Sequence, residues 1–161
     1  MDKNIKTNAM RILDKEKIKY EVFTYPHEEG VVVDGDTVAK LLGVSPDCVF
    51  KTLVLVSDKK EHFVFMVRVK EELDLKKCAR VAGVKNLELI MVKDLFPLTG
   101  YVRGGCSPIG MKKSFKTFID EYVMFEEEIY FSAGKIGYQI KMNKDDLISL
   151  LNLEMADIEK E

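Results

Sequence analysis

Residues Val49 to Val56 read Val-Phe-Lys-Thr-Leu-Val-Leu-Val, and this run constrains the fold more than any other stretch of the chain. Six of its eight residues are large and apolar, and a run this short and this rich in β-branched and aromatic side chains predicts a strand buried on one or both faces. Lys51 interrupts it. Removing an ammonium group from water is costly, so a lysine inside such a strand needs a partner, a cavity or a route to solvent. Two readings follow: an edge-strand lysine that snorkels outward, or a cation at the mouth of a pocket.

The 161 residues suit one domain with a single sizeable core, and 47% hydrophobic with 32% charged residues is the balance of an ordinary globular protein. The net charge of −2 gives no general attraction to polyanions, so a nucleic-acid partner would have to be met by a local basic patch. The charged start Met1 to Lys6 lacks the apolar core of an export signal. The longest apolar run, Phe63 to Val67, is far short of the ~20 residues of a membrane helix, so the expected location is cytoplasmic, away from membranes. Cys48, Cys78 and Cys106 are odd in number and widely spaced, against both a zinc site and a disulfide framework.

Ile5, Ala9, Ile12 and Leu13 fall on one face of an N-terminal helix. Tyr20 to Tyr25 reads as a strand closed by Pro26, and His27 to Gly35 as a loop in which His27 is a solvated histidine. Asp36 to Gly43 forms a short helix, and a hairpin joins the lysine strand to His62–Val69 across a polar turn. Asp74 to Ala82 forms a helix with Leu75, Cys78, Ala79 and Ala82 inward. Asn86 to Val92 is a strand, followed by a helical turn at Lys93–Phe96 that Pro97 stops. Ser114–Ile119, Glu128–Phe131 and Tyr138–Met142 are further strands; Asn143 caps a last helix carrying Leu147, Ile148, Leu150 and Leu151, after which the charged tail frays. Two to three helices among six to eight strands give an α+β fold with one curved mixed sheet, a partial barrel with flanking helices.

Gly100 to Ser114 places four of the ten glycines within eleven positions. Such a stretch lets backbone N–H groups approach an oxyanion or phosphate, and a wide turn between strands has the same composition. It is not a P-loop, because Met111 stands where that motif needs lysine. Arg103, Lys112, Lys113 and Lys116 make either a local positive patch or a solvated strand face. Cys106 has no dedicated histidine to activate it as a nucleophile.

Taken together, Phe50-Lys51-Thr52-Leu53, the loop Gly104-Gly105-Cys106-Ser107-Pro108-Ile109-Gly110 with Lys112-Lys113, and Ser132-Ala133-Gly134-Lys135-Ile136-Gly137 resemble the signature stretches of the YbaK-type aminoacyl-tRNA deacylases, relatives of the editing domain of prolyl-tRNA synthetase. The resemblance implies a single editing domain over residues 1–161 that hydrolyses the ester of mischarged tRNA, foremost Cys-tRNA(Pro), with no cofactor, no metal and no protein nucleophile. The substrate thiol would cyclise onto its own ester. It implies Lys51 as the catalytic residue, and Tyr25, Gly104, Gly105, Ser107, Pro108, Gly110, Ser132 and Gly134 as substrate-binding positions. Arg103, Lys112, Lys113 and Lys135 would contact tRNA, and prolyl-tRNA synthetase is an implied partner. Gln139 departs from the family pattern, where close relatives carry aspartate. That leaves open another small amino acid, such as Ala-tRNA(Pro), or a non-catalytic module that binds tRNA or a synthetase. A phosphate-ligand protein using the glycine loop is a third reading.

Overall fold

The computed structural model describes residues 5–161, so the charged start at residues 1–4 lies outside the described residues. Thr7, not Ile5, begins the first helix: its hydroxyl accepts from the Met10 N–H and α1 runs Asn8–Lys15, while Ile5 packs on the core from just before it. β1 (Tyr20–Thr24) leads through the loop to α2 (Gly35–Leu42), which starts earlier than Asp36 because Asp34 takes the cap and accepts from the Thr37 N–H. The hairpin of β2 (Phe50–Ser57) and β3 (His62–Arg68) forms as expected, in a register that sets Lys51 opposite Val67.

α3 (Leu75–Ala82) is capped by Asp74 and ended by Gly83, with Cys78 and Ala79 buried; Leu75, expected inward, is exposed and lines a groove with Lys51 and Leu53. β4 shortens to Leu87–Leu89, and α4 (Val92–Thr99) continues through Pro97 to a left-handed Gly100. Proline removes a single hydrogen bond near the start of so short a helix, at the exposed Lys93 carbonyl, so it does not stop the helix there. β5 (Lys116–Asp120), β6 (Glu128–Ser132), β7 (Tyr138–Asn143), α5 (Lys144–Leu151) and β8 (Glu154–Ala156) complete the chain. Among the described residues, five α-helices, not two or three, flank eight strands.

Two sheets stand where one curved sheet was expected. β1-β7-β6 is antiparallel, and β4-β2-β3-β5-β8 is mixed, with β5 parallel to both β3 and β8. A parallel bridge from Val49 to Tyr130 joins them at one corner, and the barrel stays open. Between the sheets lies a core of Phe50, Met66, Ile119, Phe131 and Ile140 closed by α1 and α5. On the other face of the five-stranded sheet, Leu55, Phe65, Val67 and Phe118 pack against α3, with the Phe65 and Phe118 rings stacked at 5.0 Å. Each such fully buried side chain contributes ~1.5–3 kcal/mol.

The tail does not fray. β8 extends the mixed sheet, Ile158 is buried, and Glu159 accepts from the Arg68 guanidinium at 2.6 Å while the Asp74 N–H reaches the Ile158 carbonyl at 2.8 Å. Its buried apolar residues, Leu153 and Ile158, are spaced too irregularly to signal an element, and its anchor is an arginine 91 positions away.

Candidate active site

The open corner between the sheets leaves a hollow of about 330 Å³. Its wall brings Tyr25, Lys51, Thr52, Arg103, Gly104, Ser132 and Gln139 together with Asp34 at the start of α2. β4 pairs with β2 over Leu55–Ser57, with one further bond from the Ile90 N–H to the Val54 carbonyl, so it stops short of Lys51, and the next contact on that edge is the Val49–Tyr130 bridge. Strand alternation places Lys51 with Leu53 toward α3, opposite Phe50 and Thr52. Half-buried Lys51 therefore borders both this hollow and a wider groove at the start of α3 that carries Glu72, Asp74, Lys160 and Glu161.

The two glycine-rich turns are packed on each other. A Cβ on Gly105 would stand 3.1 Å from the Ile136 nitrogen, and one on Gly104, whose φ is +84°, would stand 3.1 Å from the Val32 side chain. Only residues without a side chain allow that approach, and it leaves Gly104 exposed at the rim. Behind the rim, Ser107 is buried and accepts from the Ile109 N–H at 3.3 Å, and Pro108 is buried with it. Gly110 accepts from the Asn8 amide at 2.9 Å, and Gly134 sits against the Tyr101 ring with its N–H on the Ser132 hydroxyl at 3.1 Å. Gly105, Ser107, Pro108, Gly110 and Gly134 thus support the wall without lining it.

The basic residues divide. Arg103 lines the hollow, and exposed Lys135 lies on the neighbouring turn with its ammonium 5.6 Å from the Tyr138 ring. Lys112 lies 5.2 Å over the Phe96 ring of α4. Lys113 acts on His62, which pairs with Val56 at the far end of the hairpin, about 17 Å along the strand from Lys51 at ~3.3 Å per residue.

The electrostatics are uneven. Hydrogen bonds from the Thr37 N–H and hydroxyl hold the Asp34 carboxyl below the usual range, so it is a fixed anion at the rim. Burial raises Tyr25, with the Gly137 backbone opposing. Cys106 lines the hollow, but burial pushes its thiol up to about 12 and keeps it protonated. Gln139 is 6% exposed and Thr52 9%, and the Gln139 Oε1 and Thr52 Oγ1 atoms are buried without a hydrogen-bond partner among the described residues. The large majority of buried side-chain polar atoms in native structures have a hydrogen-bond partner, which singles these two out.

Residues 31–150 match the family model of the aminoacyl-tRNA editing domain. The chain belongs to the aminoacyl-tRNA editing domain family. EbsC of Enterococcus faecalis, provisionally named a Cys-tRNA(Pro)/Cys-tRNA(Cys) deacylase, is 42% identical over 153 residues, covering 95% of this chain and 93% of that one. The proline–tRNA ligase of Burkholderia multivorans is 27% identical over 109 residues, 65% of this chain; the match spans 19% of the ligase. A solved structure described provisionally as a trans-editing enzyme for prolyl tRNA synthetase shares the fold, with a TM-score of 0.82 at 23% identity over 98% of this chain and all of that one.

Two wall residues of this editing domain escaped the sequence reading. Thr52 stood beside Lys51 as an ordinary strand residue, and Asp34 lay inside a stretch read as loop. The Asp34-x-x-Thr37 spacing was the available signal for a helix cap.

Proposed function

We propose that this chain is an aminoacyl-tRNA deacylase that acts in trans on cysteinyl esters of tRNA, Cys-tRNA(Pro) foremost. One observation carries the reading: the Lys51 strand edge, the Gly104 turn and the Ser132–Gln139 strand pair meet around a single small hollow with an anion at its rim. An aminoacyl ester is already activated, so catalysis needs the carbonyl held, its developing oxyanion stabilised and a nucleophile admitted. The exposed Gly104 turn and the Lys51 ammonium suit the oxyanion. The nucleophile, the substrate's own thiolate or a water, attacks the carbonyl carbon. The tetrahedral intermediate then collapses with cleavage of the bond to the ribose oxygen, which leaves as a hydroxyl after taking a proton. The inert Cys106 thiol has no part in the step.

The carboxylate that position 139 lacks has a substitute in Asp34, whose fixed charge supports recognition of the substrate's α-ammonium. Gln139 adds a neutral acceptor deeper in. A hollow of this kind separates side chains that differ by one methylene by only ~1–3 kcal/mol, so association with a synthetase is the route by which the correct tRNA is presented.

The test is a deacylation time course on Cys-tRNA(Pro), Cys-tRNA(Cys), Ala-tRNA(Pro) and Pro-tRNA(Pro). The cysteinyl esters should decay fastest, and Lys51→Ala should slow them about 100-fold or more, the loss expected when one oxyanion contact is removed. Equal decay of all four esters with and without protein defeats the proposal.

A further inference from the structure

The geometry points to a second subsite, an apolar slot beside the ester hollow that takes the adenine of the terminal nucleoside. The inference rests on the deacylase reading, because the ester to be cut joins the aminoacyl group to an adenosine whose base must lie a few bonds away. A second cavity of about 360 Å³ adjoins the first and shares Thr52, Leu53, Arg103, Gly104 and Cys106 with it. Beyond that common wall its lining changes character: Val54, Leu89, Ile90, Val92 and Leu95 are all apolar. Leu89 is 55% and Val92 61% exposed, an open apolar surface next to a polar hollow. Unpaired bases of RNA ends are held on such surfaces, with polar groups at one edge reading the base.

Thr52 supplies that edge. The Val69 N–H bonds the Val49 carbonyl at 2.9 Å, so odd-numbered residues of β2 face β3; the Ile90 N–H bonds the Val54 carbonyl at 3.2 Å, so even-numbered residues face the β4 side. That Val54–Ile90 bond is the last between β4 and β2 on the way to Thr52. The N–H and C=O of Thr52 therefore lie on the edge between the end of β4 and the Val49–Tyr130 bridge, at the wall common to the hollow and the slot. Adenine carries an acceptor, N1, beside an amino donor, N6, and a strand-edge peptide presents the complementary donor and acceptor. The orphaned Thr52 hydroxyl stands on the wall between the two cavities, where a ribose hydroxyl would pass. Arg103 on the same wall, and Lys112 over Phe96 beyond it, supply cations for the phosphates that follow. With the ester over the Thr52–Gly104 junction, the aminoacyl group enters the polar hollow and the base the apolar slot.

Two measurements test this. In an amide NMR titration of the full chain with adenosine 5′-monophosphate, the Thr52, Ile90, Val92 and Gly104 signals should shift, and purine riboside monophosphate, which lacks N6, should bind several-fold more weakly. The neutral exchange Leu89→Thr/Val92→Ser, at exposed positions that tolerate polar residues, should lower kcat/KM for Cys-tRNA relative to that for cysteine methyl ester by about tenfold, mostly through KM. Shifts that spare these residues, or a ratio unchanged within twofold, overturn the subsite. A loss seen only when a synthetase is added also overturns it and makes the face a protein-docking surface. If wild type binds the nucleotide at these residues but leaves Cys-tRNA intact, the deacylase reading fails while the nucleotide site stands.

Discussion

Replacing both orphaned polar atoms should make the protein more stable and less active at once. Thr52→Val removes the buried hydroxyl at nearly constant shape, and Gln139→Met removes the amide while keeping the length of the side chain. An unsatisfied buried polar group costs ~1–3 kcal/mol relative to an apolar group of the same shape. Taking the low end, because both cavities are open to water, each exchange should stabilise by about 1 kcal/mol. The two line one hollow from different sheets, so the two single variants measure any coupling through that hollow, and the additive sum is about 2 kcal/mol. For a chain of this size that is a rise in Tm of about 4–8 °C. Thermal melts followed by circular dichroism, with urea titrations to confirm a constant m-value, measure the gain, and Cys-tRNA deacylation measures the loss. A double variant that melts at or below the wild-type temperature would refute the reasoning, because it would mean that water already satisfies both atoms. Full activity at a raised Tm would show that the atoms are not held for substrate.

Glu159→Ala should cost about 3 kcal/mol, the low end for removing one partner of a buried ion pair, since Arg68 keeps Asp47 at 2.8 Å and the Tyr122 ring at 3.7 Å; the midpoint in urea should fall, while exposed Glu161→Ala should not move it. Gly137→Ala should fold poorly or melt many degrees lower, because φ is +96° and the new Cβ would overlap the His27 ring; solubility and Tm check it. Lys70 and then Arg68 hold the Asp47 carboxyl below its ordinary value, so its contribution is present above about pH 4 and is lost as pH falls through the lowered value. The difference in stability between wild type and Asp47→Asn should therefore be largest near neutrality and close toward pH 2, and parallel curves across that range would contradict the assignment.

The elements whose cause is local were legible in advance. The β2–β3 hairpin follows from two apolar runs around a polar turn, and α3 and α5 from an Asp or Asn cap ahead of apolar periodicity. The glycines of the 100–110 loop stood out because few other residues tolerate such turns, and the family resemblance converted them, with Lys51, into a candidate site. Where local rules failed, either a distant partner or a small local cost had decided the matter. The tail looked frayed because its anchors, Arg68 and Asp74, lie far back in the chain, and Pro97 looked like a stop although the α4 turn it interrupts gives up a single bond.

What the chain determined by itself is a set of strands, caps and turns, each set by chemistry within a few residues. What only the tertiary structure decided is which polar atoms are buried beside the hollow with no protein partner. Thr52 and Gln139 look like any strand residues in the sequence, because burial is a property of two sheets meeting at an open corner. Whether β4 runs far enough to cover the edge beside Thr52 is likewise a matter of register between segments more than thirty residues apart, which no short window of sequence contains.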